Sequence, residues 1–376
     1  MKGNKIKYFL TAYFLSLLLA LNFQVIPPLI PFIIRDLNIT RSQAGLLMGI
    51  VSFPPLFLGI LGGYILDRWG VKIPVITSLF LYIIGESLFI FVKSFSFLLL
   101  SRFIIGFGGI IFAVVGLRII GEKFKGNNLG RVIGYWGTAM PFGSILSFNL
   151  FPIIAKSFNW RYPMIFLLIF SFLILFWIVF LYKEEEREEI NNFSLFDLLK
   201  SLSSKVIILG VLWGLFNAGS LSFFTFAPDY FVLKGYSENY AAFVSSLYMF
   251  GSFLSPGVGY FLDIVARPSY FILIGSILLS FSLILIYFIS SPFLVVLAGI
   301  FAVLIPPTVF YLLPKFTNNL GMGYSLLNIF VNFSTLVSPY IIGYVKDLGG
   351  TYWGSFIMMA LFVLIGGILS LKLKES

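Results

Sequence analysis

Residues 63–72 read GYILDRWGVK, an Asp, an Arg and a Lys set between two runs that are otherwise almost wholly apolar. The rest of the chain makes that turn informative. Of 376 residues, 59% are hydrophobic and 11% charged, and the mean hydropathy is +1.02, whereas a soluble domain carries about 25% charged residues. A water-soluble globule is excluded. A bilayer core takes about 20 apolar residues per helix, and runs of that length follow one another along the chain. The protein reads as a polytopic helical membrane protein, in which a polar ten-residue stretch marks a loop at the membrane surface.

Apolar runs set against polar breaks predict helices near 8–34, 42–66, 73–93, 97–120, 132–154 and 162–182, then 206–232, 239–262, 268–289, 292–313, 322–345 and 352–371. The two sets are separated by YKEEEREEINNFSLFDLLKSLSSK, in which EEEREE is expected to be a solvated linker and SLFDLLKSL a short amphipathic helix on the membrane surface. The halves repeat. GYILD ending at Asp67 returns as GYFLD ending at Asp263, 196 residues on, and KFKGNNLGRVIGY from Lys123 returns as KFTNNLGMGY from Lys315, 192 residues on. Two near-equal shifts onto the same kind of loop imply a duplicated six-helix unit. The expected domains are a bundle at 1–182, a linker at 183–205 and a second bundle at 206–376. The basic, apolar start has the look of a signal peptide, but its apolar run continues to about Ile34 with no convincing cleavage site, so a retained first helix is expected.

With neither Cys nor His in the chain, disulfides, thiolate metal sites and a Ser-His nucleophile are excluded. No G-x-x-x-x-G-K-[ST] stretch supplies an ATP-driven motor. The expectation is therefore not an enzyme, with no cofactor and no metal. The net charge of +10 is scattered over short loops, which speaks for membrane topology and against a nucleic-acid partner. With a cytoplasmic N-terminus, seventeen basic residues fall inside and seven outside, and Arg102 lies within a span. The positive-inside rule thus places both termini and the linker in the cytoplasm, in what is expected to be the plasma membrane.

The loop motif is where the chain resembles the major facilitator superfamily. Its signature is met by Gly63, Asp67, Arg68, Gly70 and Lys72, with Val71 at one basic position; the second copy keeps Gly259, Asp263 and Arg267 but has Ile264 and Ala266 where Arg and Gly are expected. Physically, Gly63 lets a neighbouring helix approach and Asp67 puts a negative charge at a helix end. The resemblance implies an all-α membrane fold of twelve transmembrane helices in two pseudo-symmetric six-helix bundles. It also implies that helix 11, from Gly321 and Met322, packs on this loop when the carrier is open outward, with Arg118 or Arg131 completing a gate cluster. The alternative is that these charges only mark the cytoplasmic side. SRFIIGFGG in helix 4 (Arg102, Gly106, Gly108) and Trp160-Arg161 before helix 6 resemble further family marks. GYWGTAMPFGSI in helix 5 only half resembles the exporters' Gly-Pro signature, having Pro141 and Gly143 but Met140 where Gly is expected.

Charges inside spans are costly and mark candidate sites. At 1.5 Å per residue, Glu86 and Arg102 fall roughly 10 Å and 8 Å from the outer surface, close enough in depth to pair. Either they form a structural ion pair, or Arg102 binds an anionic group and a proton on Glu86 alters the pairing. Asn22, Asn217, Asn328 and Asn332 are uncharged polar residues well inside spans, Asn217 nearly repeating Asn22. They are candidate ligands or interhelical hydrogen-bond partners. Trp213, Phe216, Tyr248 and Tyr311 are aromatic candidates for a cavity lining. Pro54 with Pro55, and Pro306 with Pro307, are expected to kink helices 2 and 10. Asp229, Asp36 and Arg35 are expected at the outer interface in ordinary solvation, Asp229 also being a coupling candidate beside Glu86. Asn38 opens a glycosylation-type sequon, a weak sign by itself.

The expected function is secondary active transport of a small solute by alternating access, symport or antiport. The solute site is expected at Asn22, Arg102, Asn217, Trp213, Tyr248 and Asn328. Arg102, the one cation well inside the membrane, favours an organic or inorganic anion, coupled to protons or moved by exchange. The expected partners are a small-molecule substrate, protons and the lipid bilayer, for a monomer. Proton-driven efflux of lipophilic compounds and a non-transporting sensor or scaffold are the rival readings.

Overall fold

The computed structural model describes residues 2–59, 61–92, 94–124, 129–184, 203–264, 267–317 and 320–373. The acidic run beyond its first residue, Glu184, and the amphipathic stretch behind it lie outside the described residues. Among the described residues there is no strand, and eleven helices are long and apolar enough to cross a membrane, or twelve if a pair bent by 64° counts as one span. The first span is α1 (Lys2–Gln24) with α2 (Ile26–Leu37), and the bent second is α3 (Arg41–Gly49), α4 (Phe53–Leu58) and α5 (Leu61–Trp69). Next come α6 (Lys72–Phe91), α7 (Phe95–Lys123), α8 (Leu129–Gly137) with α9 (Ala139–Ser157), and α10 (Tyr162–Leu181). The later spans are α11 (Ser204–Leu233), α12 (Glu238–Ser246) with α13 (Ser255–Leu262), α14 (Ser269–Ile289), α15 (Pro292–Ala302) with α16 (Ile305–Phe316), α17 (Leu320–Gly349) and α18 (Trp353–Leu369).

Breaks within spans fall where prolines cluster. A proline has no N–H to donate and is tolerated in the first turn of a helix. Pro54 and Pro55 stand in the first turn of α4, after a tight turn at Ile50–Ser52, and Pro306 and Pro307 stand in the first turn of α16. The expected kinks in helices 2 and 10 are therefore helix restarts.

The chain forms two compact units, Met1–Leu29 with Ile50–Phe193, and Ile30–Gly49 with Ser194–Ser376. Residues 30–49, which the sequence groups with the first bundle, thus cluster with the second unit. In the first unit α6 packs on α7 and α10, and α1 on α7 and α9. With lipid on all sides there is no water-driven force between helices, so close packing and hydrogen bonds hold them. A Cβ at Gly85 would meet Ile105 Cγ1 at 2.6 Å and the Ser101 carbonyl oxygen at 2.9 Å, so α6 and α7 are in contact through their backbones. Ser101 Oγ donates to the Gly85 carbonyl at 2.8 Å and staples the pair one residue from both Glu86 and Arg102.

In the second unit α11 packs on α17 and α18, α14 on α18, and α17 on α3. The last contact is again backbone to backbone. A Cβ at Gly49 would meet the Leu336 and Thr335 carbonyl oxygens at 2.6 and 2.7 Å, one at Gly45 would overlap the Pro339 carbonyl, and one at Gly343 would overlap the Arg41 carbonyl.

Candidate functional site

The first unit carries a buried polar cluster built on four helices. Glu86 on α6 and Arg102 on α7 are fully buried and Asn22 on α1 is 1% exposed. The Asn22 side-chain amide donates to Glu86 Oε1 at 2.9 Å, and Ser171 Oγ on α10 donates to the same oxygen at 3.0 Å. Arg102 Nη1 donates to the Asn22 backbone carbonyl at 2.6 Å. Tyr82, fully buried one turn before Glu86, lies within electrostatic reach of both charges.

The direct ion pair expected between Glu86 and Arg102 is not formed among the described residues. Asn22 is the reason. It stands between them, its amide on the carboxylate and its carbonyl on the guanidinium. Both charges are left partly unsatisfied: Glu86 Oε2, Asn22 Oδ1, Arg102 Nε and Arg102 Nη2 are buried with no partner. Buried polar atoms are ordinarily paired, so such a group of orphans calls for a function. Nε and Nη2 make up the edge of a guanidinium that matches two oxygens of a planar oxyanion.

The other expected site residues lie in the second unit. Asn217 is half-buried and its amide donates to the Trp213 carbonyl at 2.8 Å, so it does not repeat the bridging role of Asn22. Trp213 is half-buried, stacks on Phe216 with centroids 5.4 Å apart, and meets Phe310 edge-on at 5.5 Å. Tyr248 is buried, with its hydroxyl 2.9 Å from Ser220 Oγ. Asn328 is exposed, and its backbone carbonyl accepts from Asn332 at 2.9 Å.

Asp229 departs from expectation. It is 3% exposed rather than solvated at the interface, because Arg41 Nε on α3 lies 2.8 Å from Oδ2 and the Tyr352 hydroxyl donates to the same oxygen at 2.6 Å. Burial holds the Tyr352 hydroxyl well above the ordinary phenol range, and the Asp229 carboxylate adds to this, so it stays a donor. Beside it the Asp347 carboxylate accepts from the backbone N–H groups of Arg41 at 3.1 Å and Ser42 at 2.8 Å, capping the start of α3. Sequence reading missed Ser171, Arg41, Asp347 and Tyr352. Ser171, the one serine in an otherwise apolar helix, was a signal; the other three look like ordinary loop residues until folded.

In the loop motif, Asp67 pairs with Arg118, which also pairs with Glu122. Of the two candidate arginines it is Arg118 that stands beside Asp67, while Arg131 is exposed on α8. Gly70 has φ 73°, the left-handed value glycine tolerates, at the turn into α6. The turn is tied to the end of α10, with Val71 N–H donating to Glu184 Oε1 at 2.6 Å and Lys72 Nζ to the Val179 carbonyl at 3.0 Å. Arg68 Nη1 lies 3.2 Å from the Tyr64 hydroxyl. Around Gly63 the space is open: apart from its chain neighbours and its own helix backbone, no described atom lies within 4 Å of where its Cβ would stand. The same holds at Gly259, while Asp263 is exposed and Arg267 lies 3.1 Å from the Tyr270 hydroxyl.

A family model described as Major Facilitator Superfamily matches residues 12–317. The chain is 23% identical over 362 residues to a hexuronate transporter of Bacillus subtilis, covering 87% of this chain and 85% of that one. It is 26% identical over 367 residues to the probable nitrate transporter NarT of Staphylococcus aureus, covering 94% and 92%. It is also 26% identical over 239 residues to the quinolone resistance protein NorA of S. aureus, covering 62% and 60%. In three dimensions it resembles the crystal structure of a mutant of the nucleoside transporter NupG, with a TM-score of 0.77 at 13% identity over 98% of this chain and 100% of that one.

Proposed function

Since the chain belongs to the major facilitator superfamily, and is thereby an integral membrane protein of the transporter class rather than an enzyme, we propose that it is a secondary carrier for a small anion. One observation carries the reading. Arg102 is anchored through Nη1 on the Asn22 carbonyl and keeps Nε and Nη2, the paired donors of one edge, without partners. An isolated buried guanidinium is costly, and a planar oxyanion offsets that cost through two parallel charge-assisted bonds. Likeness to a hexuronate and a nitrate transporter supports the same chemistry.

Glu86 is the coupling group in this reading. One carboxyl oxygen is held by Asn22 and Ser171 and the other has no partner, so a proton can be placed on Oε2 without breaking a bond. The Asp67–Arg118 pair stabilises one state of the loop at the α5–α6 turn, which the distribution of basic residues puts on the cytoplasmic side together with both termini. The carrier works as a monomer in the plasma membrane.

The test is a thermal-shift screen of the purified protein against anions, sugars, amino acids and lipophilic cations. A ligand that binds only the folded carrier raises its apparent stability. The expected result is stabilisation by an anion that disappears in Arg102→Gln. A second reading, efflux of lipophilic compounds, draws on the likeness to NorA. It replaces the first if lipophilic cations stabilise the protein, anions do not, and Glu86→Gln abolishes the effect.

A further inference from the structure

Tyr82 on α6 is 1% exposed, and its hydroxyl makes no hydrogen bond among the described residues. That is an unfavourable place for a phenol. Burying a hydroxyl without a partner costs free energy, and a phenylalanine would fill the same space without that cost. The ring itself is firmly seated. Where a Cβ at Gly108 would stand, Tyr82 Cδ2 lies at 2.6 Å and Cε2 at 2.8 Å, so the ring packs directly on the α7 backbone, and Phe112 meets it edge-on with centroids 4.8 Å apart. Packing therefore accounts for the ring and leaves the hydroxyl unexplained.

The hydroxyl opens on the groove between α7 and α1. The point where a Cβ at Gly109 would stand is 3.5 Å from the Tyr82 hydroxyl oxygen and 3.6 Å from Leu19 Cδ1, so the glycine leaves space beside the hydroxyl that a side chain would take. Arg102 crosses the same groove, from α7 to the Asn22 carbonyl, three residues and so roughly 4.5 Å beyond Leu19 along α1. Tyr82 is within electrostatic reach of Arg102 and of Glu86. Three donors here lack an acceptor among the described residues: Arg102 Nε, Arg102 Nη2 and the Tyr82 hydroxyl. An oxyanion whose oxygens each accept a bond of about 2.8 Å bridges a separation of that size.

We infer that Tyr82 is a solute-binding residue, donating its hydroxyl to one oxygen of the anion that the free edge of Arg102 holds. The inference rests on the anion reading of Arg102 and adds a neutral donor to it. A hydroxyl suits the place because it donates to an anion without bringing in a second buried charge. The α7 backbone and Phe112 already fix the ring, so little side-chain freedom remains to be lost on binding. Helix α6 then contributes to both halves of the cycle, with Tyr82 on the anion and Glu86, one turn on, on the proton.

The experiment compares the natural protein, Tyr82→Phe and Arg102→Gln, purified as full chains, by thermal unfolding without ligand and by titration with nitrate, acetate, benzoate and phosphate. Without ligand, Tyr82→Phe is expected to melt at or above the natural temperature, because the change removes an unpaired hydroxyl and keeps the ring. A clearly lower melting temperature means that the hydroxyl is already bonded within the protein, and it overturns the inference whatever the anions do. For the tightest-binding anion, Tyr82→Phe should weaken binding about tenfold, the loss of one hydrogen bond to a charged group. Natural affinity in Tyr82→Phe together with lost binding in Arg102→Gln overturns the inference and leaves the anion reading standing; a changed pH dependence of uptake in that case assigns the hydroxyl to Glu86. If no anion binds the natural protein, or if Arg102→Gln binds anions as the natural protein does, the anion reading itself has failed and the inference falls with it.

Discussion

Arg41 on α3 and Asp229 on α11 are 188 residues apart in the chain, yet Arg41 Nε lies 2.8 Å from Asp229 Oδ2. This pair, with Tyr352 on the same carboxylate oxygen and Asp347 capping the start of α3, clasps one end of the second span onto the second unit. The Asp229 side chain is 5% exposed and the Arg41 side chain 21%, so solvent screens the pair only in part. Arg41→Ala strands a buried carboxylate. Because Arg41 is partly solvated, the cost is expected below the fully buried range, about 1–3 kcal/mol. A double-mutant cycle with Asp229→Asn, read by thermal unfolding of the purified protein, should give a coupling of at least about 1 kcal/mol; additive single effects would mean the clasp holds nothing.

The clasp closes over a backbone contact. A side chain at Gly45 has no room beside the Pro339 carbonyl, a group that cannot swing aside as a long side chain would. Gly45→Leu is therefore expected to lift α3 from α17. The chain contains no cysteine, so a single Thr335→Cys reports the event: Thr335 is 2% exposed in the closed contact. Labelling of that cysteine by a membrane-permeant maleimide should be slow with Gly45 in place and several-fold faster after Gly45→Leu, an effect of overpacking. Unchanged labelling would show that the contact yields elsewhere.

The sequence made helix number and span limits legible, because every span carries about 20 apolar residues between polar breaks and because GYILD and GYFLD repeat at a fixed shift. The proline pairs likewise announced where helices 2 and 10 restart. Partner choice was not legible. Depth along the helices put Glu86 near Arg102, but whether two side chains at equal depth meet depends on rotation about their helices and on what stands between. Here that is Asn22. Asp229 was misread for a related reason: near a span end, solvation is the default, and only the fold brings Arg41 and Tyr352 to it.

Tyr352 sets an alkaline limit on stability. Its folded hydroxyl is held above the ordinary phenol value, first by burial and then by Asp229, whereas the unfolded residue releases its proton near pH ~10. Below that pH both states are protonated and the contribution is fully present. As pH rises through it, the unfolded state binds fewer protons than the folded one and stability falls. Tyr352→Phe removes the hydrogen bond to Asp229 and is expected to cost about 1–2 kcal/mol at neutral pH. It should also flatten the decline in melting temperature between about pH 9 and 11. Parallel declines in the two proteins would assign the alkaline loss to other groups.

Asn22 offers a way to separate the two halves of the buried cluster. Its side chain serves Glu86 and its backbone carbonyl serves Arg102, so Asn22→Ala removes the first contact and leaves the second. Stability should fall by about 1–3 kcal/mol, the cost of leaving a buried acceptor short of a donor, and the pH dependence of transport should change. Anion affinity should stay within about threefold, because the Arg102 anchor survives; Arg102→Lys, which loses the two-pronged edge, should weaken it far more, by about tenfold or greater. The measurements are anion binding and initial uptake rates across pH. Equal losses of affinity in Asn22→Ala and Arg102→Lys would show that carboxylate and guanidinium work as one inseparable unit, and the division of labour between coupling and binding would have to be given up.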